Sequence, residues 1–336
     1  MDFAGHELEQ IPGNEAEGIK ALGERLKAKI IRDNANGIMR RDAHPKMHGL
    51  VQAEFTVEPD LPEELAIGLF REARSYSTWI RFSNQDGTIN PDIQGDIRGM
   101  AIKLMGVPGE KLLPAEKDAQ THDFVTISTD VFVTKDVSEF DDLIKALIGS
   151  VLFKLVFFLT HWRVAWNLKK SMIKFANPLQ IRYFSTTPYL LGEHAVKYSV
   201  IPHMAQADSI PANPSDNFLR EAMIRQLGQR DAVFDFCVQF QKDPEHMPVE
   251  DPGKLWDESE SPFRKVATIK IPQQAFTTIE RDELGENLSF TPWHALPQHR
   301  PLGGINRARK VIYDLISTFR HNENDQPRRE PVGFDA

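Results

Sequence analysis

The sequence predicts an α+β fold in which a closed antiparallel β-barrel is surrounded and interrupted by helices. Period-two alternation of apolar and polar residues recurs in short runs scattered between 50 and 271, the mark of strands with one buried face. The helical stretches between these runs do not follow the regular strand–helix alternation that a parallel sheet requires. Longer patterns of helical period stand near the two ends, at 15–32 and 305–320.

Composition sets the limits for everything else. A chain of 336 residues with 41% hydrophobic and 26% charged residues is an ordinary globular composition, long enough for one large core. The expected organisation is a single domain over 1–336: an N-terminal helical arm at 1–39, first barrel segments at 40–145, a helical insertion with the remaining barrel strands at 146–284, a closing segment and helix at 285–320, and a polar tail at 321–336. A net charge of −8 argues against a nucleic-acid partner held through phosphates. The single cysteine, Cys237, has no internal disulfide partner and fits a reducing compartment. No basic-then-apolar signal pattern opens the chain, so no export and a cytoplasmic location are expected. The apolar run at 148–160 contains Lys154 and is too short to cross a bilayer.

In chain order, Ile19, Leu22, Leu26, Ile30 and Ile31 have helical spacing, so 15–32 is a helix suited to packing or subunit exchange. A loop carrying His44 and His48 leads into a strand, in which Val51, Ala53, Phe55 and Val57 face one way. Residues 61–71 read as a short acid-capped helix. In the next strand Trp79, Arg81 and Ser83 share one face and Ile80 and Phe82 the other. A strand at 95–103 follows, with Asp96 and Arg98 expected to pair. A polar loop covers 106–121, a strand 123–133, and a helix begins after Asp136. The segment 148–176 is apolar and basic, one helix or two; it could cover a channel mouth, admit apolar substrates or rest on a membrane surface. Alternation marks further strands at 233–240 and 266–271, separated by an acidic, Pro-rich loop. Pro297, Pro301 and the pair Gly303-Gly304 break regular structure before a helix over 305–320.

On that last helix Arg309 and Tyr313 are four residues apart and share a face. A guanidinium beside a phenol favours the phenolate, and a phenolate is an anionic oxygen ligand for ferric iron. On spacing alone, an amphipathic helix with an arginine against a tyrosine is the simpler reading.

Five segments together, in order, resemble the catalase superfamily. RDAHPKMHG (41–49) is similar to the RxxHAKG loop, RFS (81–83) to the segment of the same letters, and GDIRGMAIK (95–103) to RDxRGFAxKF. FTPWHALP (290–297) is similar to FNP…P, and RKVIY (309–313) to RxxxY. The resemblance covers about 40–145 and 285–320 and is weak in the middle third. The chain is much shorter than ordinary catalases and looks like the minimal catalase-related haem proteins. The resemblance implies haem b, with Tyr313 as iron ligand, Arg309 beside it and His44 on the opposite side. The RxxHxK spacing favours His44 over His48. It further implies Arg41, Arg81 and Arg320 as haem-propionate partners, Ser83 as hydrogen-bond partner of the distal histidine and Phe140 packed over a pyrrole.

One position departs from the family. Its distal asparagine is missing, and Thr126-Ile127-Ser128-Thr129 stands there, with Ser128 the nearest polar replacement. The function implied is reduction of hydrogen peroxide or organic hydroperoxides at the expense of a small reductant. The alternatives are a fatty-acid hydroperoxide isomerase or lyase, and a haem carrier or sensor. A homo-oligomer, a dimer, is expected; for 148–176 a helix packed on the domain is the commoner outcome, and peripheral membrane contact is the alternative.

Overall fold

The computed structural model describes residues 8–204 and 207–334. Eight antiparallel strands form a closed barrel, and the fold is of the predicted α+β class. Strands β1 (Met47–Val57), β2 (Ser75–Asn84), β3 (Arg98–Met105) and β4 (Thr121–Ile127) form a meander. β5 (Tyr183–Phe184) bridges β4 to β7 (His194–Pro202), which pairs with β8 (Ala232–Phe240) and then β9 (Arg264–Ile271). β9 returns to β1 and shuts the barrel, while β6 (Tyr189–Leu191) forms a hairpin with the start of β7.

Alternation explains both faces. Val51, Ala53, Phe55 and Val57 of β1 and Ile80 and Phe82 of β2 enter the barrel core. There Phe124 and Phe236 lie 4.6 Å apart, and Phe55 and Tyr198 approach Phe236 at 5.2 and 5.3 Å. The odd-numbered side chains of β2, Trp79, Arg81 and Ser83, are thereby sent outward. Cys237 is buried in β8 and its thiol is pushed up to about 12 by burial, which suits a core filler.

Helices coat the outside: α1 (Glu15–Asp33), α2 (Val137–Ile148), α3 (Val151–Thr160), α4 (Trp162–Ser171), α5 (Phe218–Leu227), α6 (Ile279–Asn287) and α7 (Gly304–Glu323). α1 packs on α7 through Ile19, Leu22, Leu26, Ile305, Ala308 and Ile312. Asp136 caps α2 by accepting from the Glu139 amide at 2.8 Å. Gly303 turns the chain into α7 at φ 84°, where a Cβ would come within 2.6 Å of the Val249 carbonyl oxygen.

Several expectations are corrected. Residues 61–71 form a turn and a short 3-10 segment, Gly68–Phe70, because Ile67 is extended and Gly68 adopts φ 57°, which an α-helix forbids. The strand expected over 123–133 ends at Ile127, after which the chain bends toward α2. β1 begins at Met47, so His48 is a strand residue. Asp96 and Arg98 form no ion pair among the described residues. The Asp96 carboxylate accepts from the amides of Asp86 and Ile97, while Arg98 donates to Asn84 and to the carbonyls of Asp92 and Gln94. The stretch 148–176 resolves into two helices, α3 and α4, joined at His161.

Candidate functional site

A cavity of about 270 Å³ lies between the outer face of β2–β4 and the helix α7, with α1 and α2 as side walls. His44, Arg41, Arg81, Ser83, Phe140, Arg309, Tyr313 and Arg320 all line it. The closed barrel brings β2 and β3 alongside the loop that precedes β1, and α7 covers them from the far end of the sequence.

His44 sits in the left-handed region at φ 63°, its amide donating to the Gln85 carbonyl at 3.1 Å. Its Nδ1 is 2.9 Å from Ser83 Oγ, which occupies one ring nitrogen and leaves the other free of hydrogen bonds among the described residues. Burial, then the positive charges of Arg81, Arg41 and Arg309, push its pKa down to about 3, so the imidazole is neutral. Gly99 of β3 makes the room: a Cβ there would lie 2.6 Å from both Cε1 and Nδ1 of His44. His48, the alternative, stands outside the cavity, bound to Asn84 at 2.6 Å in a buried network around Asp92.

Arg41, Arg81 and Arg320 converge on one carboxylate, Glu286 of α6. Arg320 is paired with Glu286 and donates to the Met39 carbonyl at 2.9 Å. Arg81 donates to the Gly285 carbonyl at 3.0 Å and Arg41 to that of Leu288 at 2.5 Å. Arg41 Nη1 and Arg81 Nη2 lie 3.2 and 3.9 Å from Glu286, yet are buried with no hydrogen-bond partner among the described residues. Burial lowers the pKa of all three; for Arg81 and Arg320 the Arg41 charge adds to it, and Glu286 opposes. Three guanidinium charges meet one carboxylate, so the cluster favours a ligand bringing about two negative charges to this end of the cavity.

At the other end, Tyr313 is partly buried on α7. Arg309 is held by Thr187 Oγ1 and Asn306 Oδ1, both at 3.2 Å, and lies 5.7 Å from the centre of the Phe132 ring. It makes no hydrogen bond to Tyr313 among the described residues. Phe140 packs against Phe132 at 5.6 Å on the α2 wall. Ser128 is not brought to the cavity: its hydroxyl accepts from the Arg98 amide at 2.9 Å. Thr126 does line the cavity, but its hydroxyl donates to the Met100 carbonyl at 2.7 Å. Neither hydroxyl takes the place of an amide donor.

Sequence reasoning missed Glu286, Gly99, Phe132 and Leu26. None carries a local signal, since each matters through what a distant segment places opposite it. Next to the cavity, Lys103, Asp123, Glu116, His294 and Glu330 form a buried charge network that pins the C-terminal tail. Atoms of Glu116, His294 and Glu330 lie within 4.8 Å of one another. Lys103, 2.6 Å from Glu330, and a protonated His294 already supply positive charge there, so the network is complete without a cation.

The fold is that of the catalases. A fungal catalase structure aligns with a TM-score of 0.65 at 18% identity, covering 88% of this chain and 62% of that one. Catalase A from Saccharomyces cerevisiae aligns at 0.66 and 19%, covering 88% and 64%. A bacterial catalase aligns at 0.66 and 16%, covering 99% of this chain and 66% of its own. The chain thus spans somewhat under two thirds of the first two catalases it matches. No protein-family model and no curated protein sequence matches it.

Proposed function

We propose that this chain is a haem b-dependent peroxidase that reduces hydrogen peroxide or organic hydroperoxides with electrons from a small reductant. The observation that supports it is the single cavity in which a neutral histidine, a tyrosine and three converging arginines meet from segments nearly 280 positions apart in sequence. These residues fit haem: Arg41 Nη1 and Arg81 Nη2 are unsatisfied donors suited to its propionates, and Tyr313, which lines the same cavity, would offer its iron an oxygen ligand.

Bound there, haem would supply the redox chemistry that cleaves the peroxide O–O bond. His44, neutral and with one ring nitrogen fixed by Ser83, takes the peroxide proton on the other nitrogen and returns it to the departing oxygen as water or alcohol. Arg41, Arg81 and Arg320 orient the cofactor, and Phe140 and Phe132 give the pocket its shape. Arg309, one helical turn before Tyr313, is held toward the same cavity by Thr187 and Asn306. A second reading, isomerisation or lysis of a fatty-acid hydroperoxide, is favoured by the distal wall itself, where Ile127 is apolar and the Thr126 hydroxyl is committed to the Met100 carbonyl.

Oxygen release, dye oxidation and loss of a fatty-acid hydroperoxide, followed on one haem-loaded preparation, separate the two readings. Tyr313→Phe should shift the haem absorption band and lower turnover, because it removes the oxygen that would hold the iron. Wild-type spectra and turnover in Tyr313→Phe, or a wild-type protein that takes up no haem, would overturn the proposal.

A further inference from the structure

The face formed by α3 and α4 is apolar where a helix on a barrel is ordinarily polar. Val151, Leu152, Leu155 and Leu159 are 85, 71, 56 and 72% exposed, and Trp162 and Trp166 are 73 and 52% exposed. The inner side of the pair is accounted for, because Phe157 and Val164 pack toward Phe132 and Phe140 of the cavity wall. An outer face of this kind needs a partner. α3 has only 10 residues, far below the length a spanning helix needs, and no helix of the described residues is long and apolar enough to cross a membrane.

Charge decides which partner. From Leu143 to Gly192 there is no Asp or Glu, but there are seven Lys and Arg residues, in a chain whose net charge is −8. Arg163 and Arg182 are paired with Asp251 and Glu258, and Lys145 with Asp141. Lys154, Lys169, Lys170 and Lys174 have no carboxylate partner among the described residues, and Lys170 lies 5.3 Å from the Trp166 ring centre. A self-complementary dimer would bring these like charges together, whereas an anionic surface is attracted to them. Exposed tryptophans beside lysines are also the side chains that settle at the level of lipid headgroups.

We propose that the α3–α4 face docks this protein on the surface of an anionic phospholipid bilayer, with Leu152, Leu155, Leu159, Trp162 and Trp166 entering the headgroup region. The docking does not depend on haem, so it stands or falls separately from the proposed function. Flotation with vesicles of phosphatidylcholine, alone or mixed with phosphatidylglycerol, tests it on the full chain. Trp79, Trp256 and Trp293 are buried, so a blue shift of tryptophan emission reports Trp162 and Trp166.

The protein should float with the mixed vesicles, release at high salt and show the blue shift. Lys169→Gln with Lys170→Gln should lose about 30-fold in partitioning, from the worth of two basic side chains at an anionic surface. Leu155→Glu with Leu159→Glu, changes at exposed positions that leave circular dichroism unaltered, should abolish flotation. No flotation of the wild type with mixed vesicles at low salt, or flotation unchanged in the Glu variant, overturns the proposal. So does a wild-type dimer that ignores vesicles and is split by the Glu variant, which assigns the face to a second copy.

Discussion

Replacing Gly99 by alanine would test the placement of His44 without touching any titratable group. The added Cβ would sit 2.6 Å from His44 Nδ1 and Cε1 and 3.0 Å from Ser83 Oγ, where ordinary contact begins near 3.4 Å. The overlap of about 0.8 Å falls on a ring whose backbone is held by the Gln85 carbonyl, so the ring must swing and give up its 2.9 Å bond to Ser83. The expected stability loss is that of an overpacked core position, about 1–3 kcal/mol. The expected functional loss is larger, about 100-fold or more in peroxide-dependent dye oxidation, because a displaced base forfeits most of the proton-transfer term. Steady-state kinetics on haem-loaded protein, with thermal unfolding of the same samples, measures both. A Gly99→Ala variant whose kcat stays within about twofold of wild type would refute the role given to His44.

Glu286→Gln should leave the buried Arg41, Arg81 and Arg320 charges without their carboxylate. It should lower the stability of haem-free protein by about 3–5 kcal/mol, with haem restoring more of the loss than it adds to wild type, as read by unfolding with and without haem. The activity profile should show no acid limb from His44 above about pH 4, since its folded pKa is about 3; a limb near pH 6.5 that vanishes in His44→Gln would contradict this. Stability should depend on pH through the tail network. Burial and Lys103 press the His294 pKa down, but Asp123 and Glu116 outweigh them and raise it to about 9, while burial of Glu330 is outweighed by Lys103 and His294, which lower it to about 2. The His294 contribution is full below about 6.5 and lost as pH rises through 9, and that of Glu330 is full above about 4.5 and lost as pH falls through 2. The shared attraction, counted once, is on the order of 3 kcal/mol, and His294→Gln should flatten the alkaline side of a denaturation-versus-pH series.

The sequence by itself determined the alternation that makes a barrel strand of 75–84, and with it the outward facing of Arg81 and Ser83, because strand direction is a local property of period two. It also determined the helix that carries Arg309 and Tyr313 four residues apart, and the tight glycine turn before it. Residues 61–71 were misjudged because an apolar spacing can be satisfied by a turn once Gly68 takes a positive φ. Only the tertiary structure decided which histidine enters the cavity, since His44 and His48 are separated by four positions and by the start of β1. It also decided that Ser128 turns to the Arg98 amide, that Gly99 backs the imidazole, and that Glu286 stands among three arginines. Each of these is a meeting of segments far apart in sequence, and the closing of the barrel and the docking of α6 and α7 on it set their distances, which no local pattern encodes.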